Sequence, residues 1–302
     1  MPASKVIIYV PGMKPKPLPE EHRATLWRCL CEGVRRVKPH LAEELSAQPE
    51  VFRLASWASL FYDEHRSLEL DLPGVERLLR LPGPEPADIA EARHWHKQIG
   101  RLVYLICDAF PFLIEYIATS DMKATLIDIL RYFRNENFVA TEIRNRVSEA
   151  ILNAWDEGCE ILLIGHSLGS VIAYDVLWEL SRRRNSDVKI GLFTTIGSPL
   201  GLNFVKHRLL ASGERGARRY PDNIRRWENL SAIGEMTALD RHFANDYAPM
   251  LKHKLVQSIT DHTRLKTYFR GEEGLNVHKC YGYMINESVG AVVADWWQHD
   301  RA

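Results

Sequence analysis

A serine between two glycines carries the strongest chemical signal in the chain. Gly165 and Gly169 lie two positions either side of Ser167; the apolar run EILLI (160–164) precedes them, and a segment of helical periodicity follows. Where a strand turns sharply into a helix, the residues two before and two after the turn come close together, so only very small side chains fit. The pattern therefore predicts a nucleophile elbow at Ser167 rather than a plain glycine-rich turn.

The elements around this turn predict an α/β fold with a mostly parallel central sheet and helices on both faces. Short apolar runs between segments of helical periodicity are typical of buried parallel strands. We interpret as strands VIIYV (6–10), VFRLASW (51–57), EILLI (160–164) and KIGLFTTI (189–196), with RRWENLSAI (225–233) and NVHKCYGYM (276–284) as weaker candidates. Helices are predicted directly after the elbow and over 136–157.

The segment IGHSLGS (164–170) resembles the elbow of lipases and esterases in the α/β-hydrolase superfamily. The resemblance implies a single α/β-hydrolase domain over residues 1–302, with catalytic residues in the order serine, acid, histidine. Residues 63–135 interrupt the strand–helix alternation, and we interpret them as a helical cap or lid insertion. A helix pair packed over the sheet is the alternative, with Pro111 kinking the apolar window 101–120 or starting a second helix there.

Two carboxylates compete for the acid that the resemblance implies. Superfamily members often carry a segment of the kind W-x-N-x-x-D-P-x-D-P-V-A, and WENLSAIGEMTA (227–238) places Glu235 at the position of the acid. This chain departs from the pattern in having Glu where Asp is commoner, although either serves as a triad acid. Asp240 is therefore kept as the alternative acid.

The catalytic base is expected at His278. The sequence NVHKCYGY (276–283) resembles the superfamily segment in which a histidine follows the last strand and aromatic residues follow it closely. His262, in the sequence TDHTR, is the second candidate. His166 is excluded on geometric grounds, because a residue next to the nucleophile in the elbow points elsewhere.

Two backbone N–H groups are expected to hold an oxyanion at the nucleophile. The N–H of Leu168 lies at the start of the elbow helix, where the helix dipole also favours negative charge. The loop VPGMKPKPLP (10–19) resembles the superfamily's HG-type loop, with Pro11 in place of histidine. Gly12 would let this backbone turn close to the site and Met13 would supply the second N–H; a simple turn that ends the strand is the alternative.

Together these residues predict a serine hydrolase that cleaves carboxylic esters through an acyl-enzyme, with lipids and thioesters as further substrate classes. An acyltransferase would use the same triad, and a hydrolase-fold protein that binds a ligand without turnover is the alternative from another class. The basic stretch SGERGARRYPDNIRRW (212–227) reads first as a solvated loop. If it flanks the active site, it and the apolar window 101–120 favour a lipid-like substrate and transient contact with a membrane surface.

Composition argues against several other classes. Lys plus Arg and Asp plus Glu number 39 each, so the basic excess typical of nucleic-acid binding is absent. The five cysteines are scattered and no histidine cluster has zinc-ligand spacing, so we expect reduced thiols, no metal and no cofactor. We also expect no transmembrane segment, and a cytoplasmic location because a signal-peptide pattern is missing. The oligomeric state is left open.

Overall fold

The computed structural model describes residues 4–93, 120–234 and 242–299, and its centre is a six-stranded parallel sheet. In chain order the strands are β1 (Lys5–Val10), β2 (Phe52–Leu54), β3 (Glu160–His166), β4 (Ile190–Ile196), β5 (Ile224–Ala232) and β6 (Ser258–Leu265). They are arranged in the order β2-β1-β3-β4-β5-β6. A separate antiparallel ribbon pairs β7 (Arg270–Gly271) with β8 (Gly274–Leu275).

Helices connect these strands. In chain order they are α1 (Pro19–Arg35), α2 (Pro39–Ser46), α3 (Leu72–Arg80), α4 (Pro86–Arg93), α5 (Ser120–Arg134), α6 (Val139–Asp156), α7 (Leu168–Trp178), α8 (Asn203–Lys206), α9 (Phe243–Asp246), α10 (Ala248–Lys252), α11 (Cys280–Met284) and α12 (Glu287–Gln298). A π-helical turn, Glu179–Arg183, extends α7. Short 3-10 turns lie at Pro49–Val51, Ala58–Leu60, Leu68–Leu70, Glu136–Phe138, Leu210–Gly213 and Gly216–Arg219.

Each face of the sheet buries its own apolar layer. Along β1, Ile7 and Tyr9 pack in the layer that contains α1, α2, α3, α11 and α12, whereas Val6 and Ile8 pack in the layer that contains α5, α6 and α7. Because both faces are covered, the central strands read as continuous apolar runs rather than as alternating patterns. The predicted α/β class, with a parallel sheet and helices on both faces, is confirmed at this level.

Two strand assignments need correction. Strand β6 has the sequence SITDHTRL and coincides with no predicted strand, because it is an edge strand with mostly half-exposed side chains and no continuous apolar run. The weak candidate 276–284 is not a strand, since α11 begins at Cys280 within it. Every residue of α11 is buried, so its apolar and aromatic character reflects packing rather than a strand.

The stretch 63–135, predicted as a cap, is helical where the structure describes it. Val75 and Leu78 of α3 belong to the apolar layer that contains α1 and α12, whereas Ile129 and Tyr132 of α5 belong to the layer that contains α6 and α7. Residues 94–119, with most of the apolar window, lie outside the described residues, so the cap stays a prediction. Among the described helices, none is both long and apolar enough to cross a bilayer.

The neighbouring strands β1 and β3 have connections that run in opposite directions across the sheet. The chain passes from β1 to β2 on one side and from β3 to β4 on the other. Such a switch point opens a crevice at the carboxyl ends of the two strands, where open α/β sheets bind their ligands. Residues 11–13 follow β1 and Ser167 follows β3, so the topology brings this loop and this serine to one crevice.

Helices α1 and α12 cross in direct backbone contact, which generates a stability prediction. A Cβ added at Gly290 would lie 2.1 Å from Gly33 O and 2.8 Å from Val34 N, both of them backbone atoms of a helix. We expect Gly290→Ala to lower the free energy of unfolding by about 2 kcal/mol through overpacking, despite the better helix propensity of alanine. Urea denaturation measures the change.

Gly213→Ala is the matched control, because an added Cβ there meets no described atom within 4 Å. We expect this variant to stay within about 0.5 kcal/mol of the wild type. Equal stability of the two variants would contradict the close helix contact.

Candidate active site

Ser167 has the strained backbone of a residue at a sharp strand-to-helix turn. It lies between β3 and α7 with φ 53° and ψ −129°, a conformation that non-glycine residues rarely adopt. Its N–H donates to Ile196 O at 3.1 Å, and its carbonyl accepts from the Ser170 N–H at 3.0 Å and the Ser170 hydroxyl at 2.5 Å. Such strain costs about 1–3 kcal/mol and persists only where surrounding contacts enforce it.

A chain of hydroxyl groups supports this turn. The Ser170 Oγ lies 2.6 Å from the Ser198 Oγ, which in turn accepts a 3.2 Å hydrogen bond from the Leu200 N–H. Because the Ser170 hydroxyl donates to the carbonyl of Ser167, the Ser198 hydroxyl is left to donate to Ser170. The loop after β4 thereby holds the elbow, a role that no local sequence pattern signals.

Both elbow glycines are required by close packing, although their neighbours differ from the expectation. A Cβ added at Gly165 would lie 2.5 Å from Ser170 Cα and 3.1 Å from Gly169 O. One added at Gly169 would lie 2.3 Å from Val10 O and 2.5 Å from Pro11 O. For Gly169 the crowding thus comes mainly from the end of β1 rather than from the other side of the turn.

The loop after β1 lies directly against Ser167. A Cβ added at Gly12 would lie 2.8 Å from Ser167 Cβ and 3.0 Å from His166 Nδ1. Met13 is the next residue after Gly12, and Leu168, the next residue after Ser167, is the first residue of α7. Neither the Met13 N–H nor the Leu168 N–H donates to an acceptor in the described ranges. Both predicted oxyanion donors are therefore available to an external acceptor.

His278, the predicted base, lies beside His166, the residue that precedes Ser167. Its ring centroid is 4.8 Å from that of His166, and its carbonyl accepts a 2.9 Å hydrogen bond from His166 Nε2. Its own N–H donates to Asn276 Oδ1 at 3.1 Å. The structure therefore brings the half-buried His278 to the elbow.

His166 joins the elbow to the His278 loop. Burial above all, and then His278 and Lys16, hold the pKa of the His166 ring well below its usual range, so the ring is neutral. Because Nε2–H donates to the His278 carbonyl, Nδ1 carries no proton. This Nδ1 is buried and has no hydrogen-bond partner in the part of the chain that the structure describes. The ring is thus fixed in one tautomer and held in place by the loop it contacts.

Both candidate acids, Glu235 and Asp240, lie outside the described residues, so the identity of the acid stays a prediction. Strand β5 ends at Ala232, and the Ile233 N–H donates to Leu265 O at 2.9 Å, which fixes the exit of β5 beside the end of β6. The chain therefore leaves β5 at the carboxyl edge of the sheet. Gly234, the last described residue before Glu235, follows this exit directly. This is the edge that carries Ser167.

His262, the second candidate base, lies far from the elbow. Through the registers of three strand pairs it is level with His166 but three strands away, a distance of about 14 Å. Its Nε2 lies 2.8 Å from Glu228 Oε2 on the neighbouring strand. The structure does not bring His262 to Ser167.

The basic stretch 212–227 lies at the amino ends of the strands, on the opposite side of the sheet from Ser167. It runs into the amino end of β5, and two of its arginines form ion pairs, Arg218 with Glu214 at 3.4 Å and Arg226 with Asp295 at 3.2 Å. The basic stretch therefore does not flank the candidate site, and it does not support the expectation of a lipid-like substrate.

Four charged side chains that sequence reasoning missed gather near the elbow; we call Lys16, Arg66, Asp71 and Lys279 the basic cluster. Lys279 Nζ lies 2.8 Å and 2.7 Å from the two Asp71 oxygens, and Arg66 Nη2 lies 3.4 Å from Asp71 Oδ1. Lys16 Nζ donates to Met13 O, and Lys16 O accepts from the Arg66 N–H at 3.0 Å. These residues come from separate segments of the chain, so no spacing pattern reveals them.

The basic cluster influences the protons of its buried neighbours. Burial, together with Lys16 and Lys279, lowers the pKa of His22 to about 3. Burial lowers the pKa of Lys16 to about 8 and raises that of the Cys280 thiol, although Lys279 and Lys16 act in the opposite direction on the thiol. At neutral pH, His22 is therefore uncharged and Cys280 is a thiol, not a thiolate nucleophile.

Comparison of the chain with protein-family models, curated proteins and solved structures finds no significant match.

Across the described ranges, no group of three or more His, Cys, Asp or Glu side chains is arranged to hold a metal ion. The cysteines that the structure describes, Cys29, Cys31, Cys159 and Cys280, are free. The chemistry of the site therefore has to be inferred from its own residues.

The buried His22 generates a pH-dependent stability prediction. Its pKa is about 3 in the folded protein and about 6.5 in an unfolded chain, so only the unfolded chain gains a proton as the pH falls below 6.5. Its contribution to stability is complete above that pH and is lost progressively towards pH 3. Between pH 7.5 and 5.5 we expect the wild type to lose about 1.4 kcal/mol more than His22→Gln, measured by urea denaturation.

His40→Gln is the matched control, because His40 is exposed on α2 and its removal should leave the pH dependence of the wild type unchanged. Identical pH dependence of the wild type and His22→Gln would show that the ring is not held neutral.

Proposed function

We propose that the protein is a serine hydrolase that cleaves carboxylic esters, with Ser167 as nucleophile, His278 as base and Glu235 or Asp240 as acid. The observation that carries the proposal is the strained conformation of Ser167 at the turn between β3 and α7. Ligand binding alone has no use for a serine held at this energetic cost, so the strain argues against a protein that binds without turnover.

The order of the elements supports assignment to the α/β-hydrolase superfamily. Ser167 follows β3, the candidate acids follow β5 and His278 follows β6. This reproduces the chain order serine, acid, histidine of that superfamily. Because β3, β4, β5 and β6 are successive parallel strands, their carboxyl ends form a single edge along which the triad would assemble.

The proposed reaction proceeds through an acyl-enzyme. His278 takes the hydroxyl proton as Ser167 Oγ attacks the ester carbonyl carbon, and the N–H groups of Met13 and Leu168 hold the oxyanion, each worth about 3–4 kcal/mol. His278 then protonates the departing alcohol oxygen. Water attacks the acyl-enzyme in the second half, giving its proton to His278, which returns it to Ser167 as the acid product leaves.

Labelling with a fluorophosphonate probe tests the nucleophile and its base. We expect covalent labelling of the wild type, none of Ser167→Ala, and labelling at least about 100-fold slower for His278→Ala, because the serine then has no proton acceptor. Glu235→Ala and Asp240→Ala identify the acid, since only one of them should slow labelling to a similar extent. A p-nitrophenyl ester series then gives the preferred acyl length.

Ser212→Ala, an exposed serine outside the site, is the control and should label like the wild type. A folded wild type that remains unlabelled with and without detergent would contradict the proposal.

Gly12→Ala tests the contact between the loop after β1 and the nucleophile. The added Cβ would lie 2.8 Å from Ser167 Cβ, so the loop must shift and carry the Met13 N–H away from the oxyanion. Loss of one oxyanion donor lowers kcat by about 100- to 1,000-fold, and we expect a fall of at least 10-fold in kcat with p-nitrophenyl acetate. Gly83→Ala is the control, because an added Cβ there meets no described atom within 4 Å. Unchanged kcat in a folded Gly12→Ala variant would exclude this loop from the site.

A further inference from the structure

We infer that the basic cluster binds an anionic group of the substrate, a carboxylate or a phosphate ester, and that Lys16 selects for it. The inference rests on the proposed function, because it places the anion on the ester that Ser167 attacks. It adds a substrate class to a site that is otherwise defined only by its reacting groups.

Lys16 lies within substrate range of the nucleophile. Its Nζ donates to Met13 O, Met13 is bonded to Gly12, and a Cβ on Gly12 would lie 2.8 Å from Ser167 Cβ. With standard backbone dimensions, this path limits the separation of Lys16 Nζ and Ser167 Cβ to about 13 Å. An acyl chain of a few methylene groups with a terminal anion covers distances of this size.

The backbone holds Lys16 in a defined position. It lies between Pro15 and Pro17, and a residue before proline is restricted to extended conformations. Its carbonyl accepts a hydrogen bond from the Arg66 N–H, and Lys14, two residues earlier, has a left-handed φ of 72°. A charge presented by a restrained loop binds an anion with less loss of conformational entropy than one on a flexible loop.

The charges of the basic cluster are not balanced within it. Asp71 is 2% exposed and contacts Lys279 and Arg66, so one carboxylate serves two cations. Lys16 Nζ instead donates to the neutral Met13 carbonyl, and no carboxylate in the described part of the chain lies within ion-pair distance of it. An ammonium group has three donors, so Lys16 can bind an anion without losing this hydrogen bond.

Lys279 is less suited to this role than Lys16. Both Asp71 oxygens hold its Nζ, which also lies 5.4 Å and 5.5 Å from the ring centroids of Phe269 and Tyr281. These contacts explain Lys279 as a structural cation that neutralises a buried carboxylate. Within the basic cluster, they leave the half-buried Lys16 as the cation that has no carboxylate partner among the described residues.

A pair of esters of similar size tests the selection. Mono-p-nitrophenyl glutarate carries a terminal carboxylate, whereas p-nitrophenyl hexanoate carries an ethyl group in its place. We expect the wild-type kcat/KM to be at least 10-fold higher for the glutarate ester, and Lys16→Met to reduce this ratio at least 10-fold. Lys16→Arg should keep most of the ratio, and Lys252→Met, at an exposed position on α10, should leave it unchanged. Damage to the loop alone would lower both rates and leave the ratio as it was.

The outcomes separate this inference from the proposed function. Hydrolysis of both esters with the same ratio in the wild type and Lys16→Met would overturn the anion site and leave the serine hydrolase intact. If the wild type neither labels nor hydrolyses, the proposed function fails and direct binding decides the anion site.

Direct binding is measured by thermal shift on Ser167→Ala, with glutarate and with butyl phosphate at constant ionic strength. We expect at least one of them to raise Tm by about 2 °C or more. The shift should disappear in the double variant that combines Ser167→Ala with Lys16→Met. The larger shift identifies the anion as a carboxylate or a phosphate. No shift with either compound would overturn the anion site.

Discussion

The contact between the end of β1 and the turn after β3 determines the geometry of the candidate site. A Cβ at Gly169 would lie 2.5 Å from Pro11 O, and one at Gly12 would lie 2.8 Å from Ser167 Cβ, so the two chain segments pack too closely for a side chain at either glycine. The Trp57 indole N–H donates to Pro11 O at 2.8 Å and holds the loop in this position. With the loop fixed, its following residues connect the proposed oxyanion donor Met13 to Lys16 of the basic cluster.

Sequence predicts the parts of this arrangement whose causes are local. The buried runs of β1, β3 and β4 are apolar because both faces of the sheet are covered, and the glycines of the elbow are needed where they stand in the sequence. Edge strand β6 escapes prediction because its side chains are largely half-exposed. The sequence of α11 resembles that of a strand because all of its residues are buried by tertiary packing, so it shows no helical periodicity of apolar and polar residues.

The basic cluster could not be predicted, for a reason that also explains why the basic stretch 212–227 was misleading. Consecutive arginines are visible in a sequence, yet Arg218 and Arg226 pair with nearby carboxylates at the amino edge of the sheet. Lys16 and Lys279, by contrast, are isolated in sequence, and Lys279 influences the pKa of Lys16 only because the fold brings the loop after β1 and the segment after β8 near each other. Charge density along a chain is thus a poor guide to charge density in a site.

The cations of the cluster and the oxyanion donors would act on different steps of the proposed reaction. A unit cation about 10 Å from an oxyanion stabilises it by about 1.7 kcal/mol at an effective dielectric constant of 20, before screening by solvent, and this is less than one well-placed N–H donor contributes. An anionic group held by Lys16 would be present in the bound substrate and in the transition state alike, so its binding energy would lower KM and leave kcat nearly unchanged. The oxyanion would form only during the reaction, so the N–H groups of Met13 and Leu168 would raise kcat. Choice of substrate and rate of the chemical step would therefore depend on different residues of the same short loop.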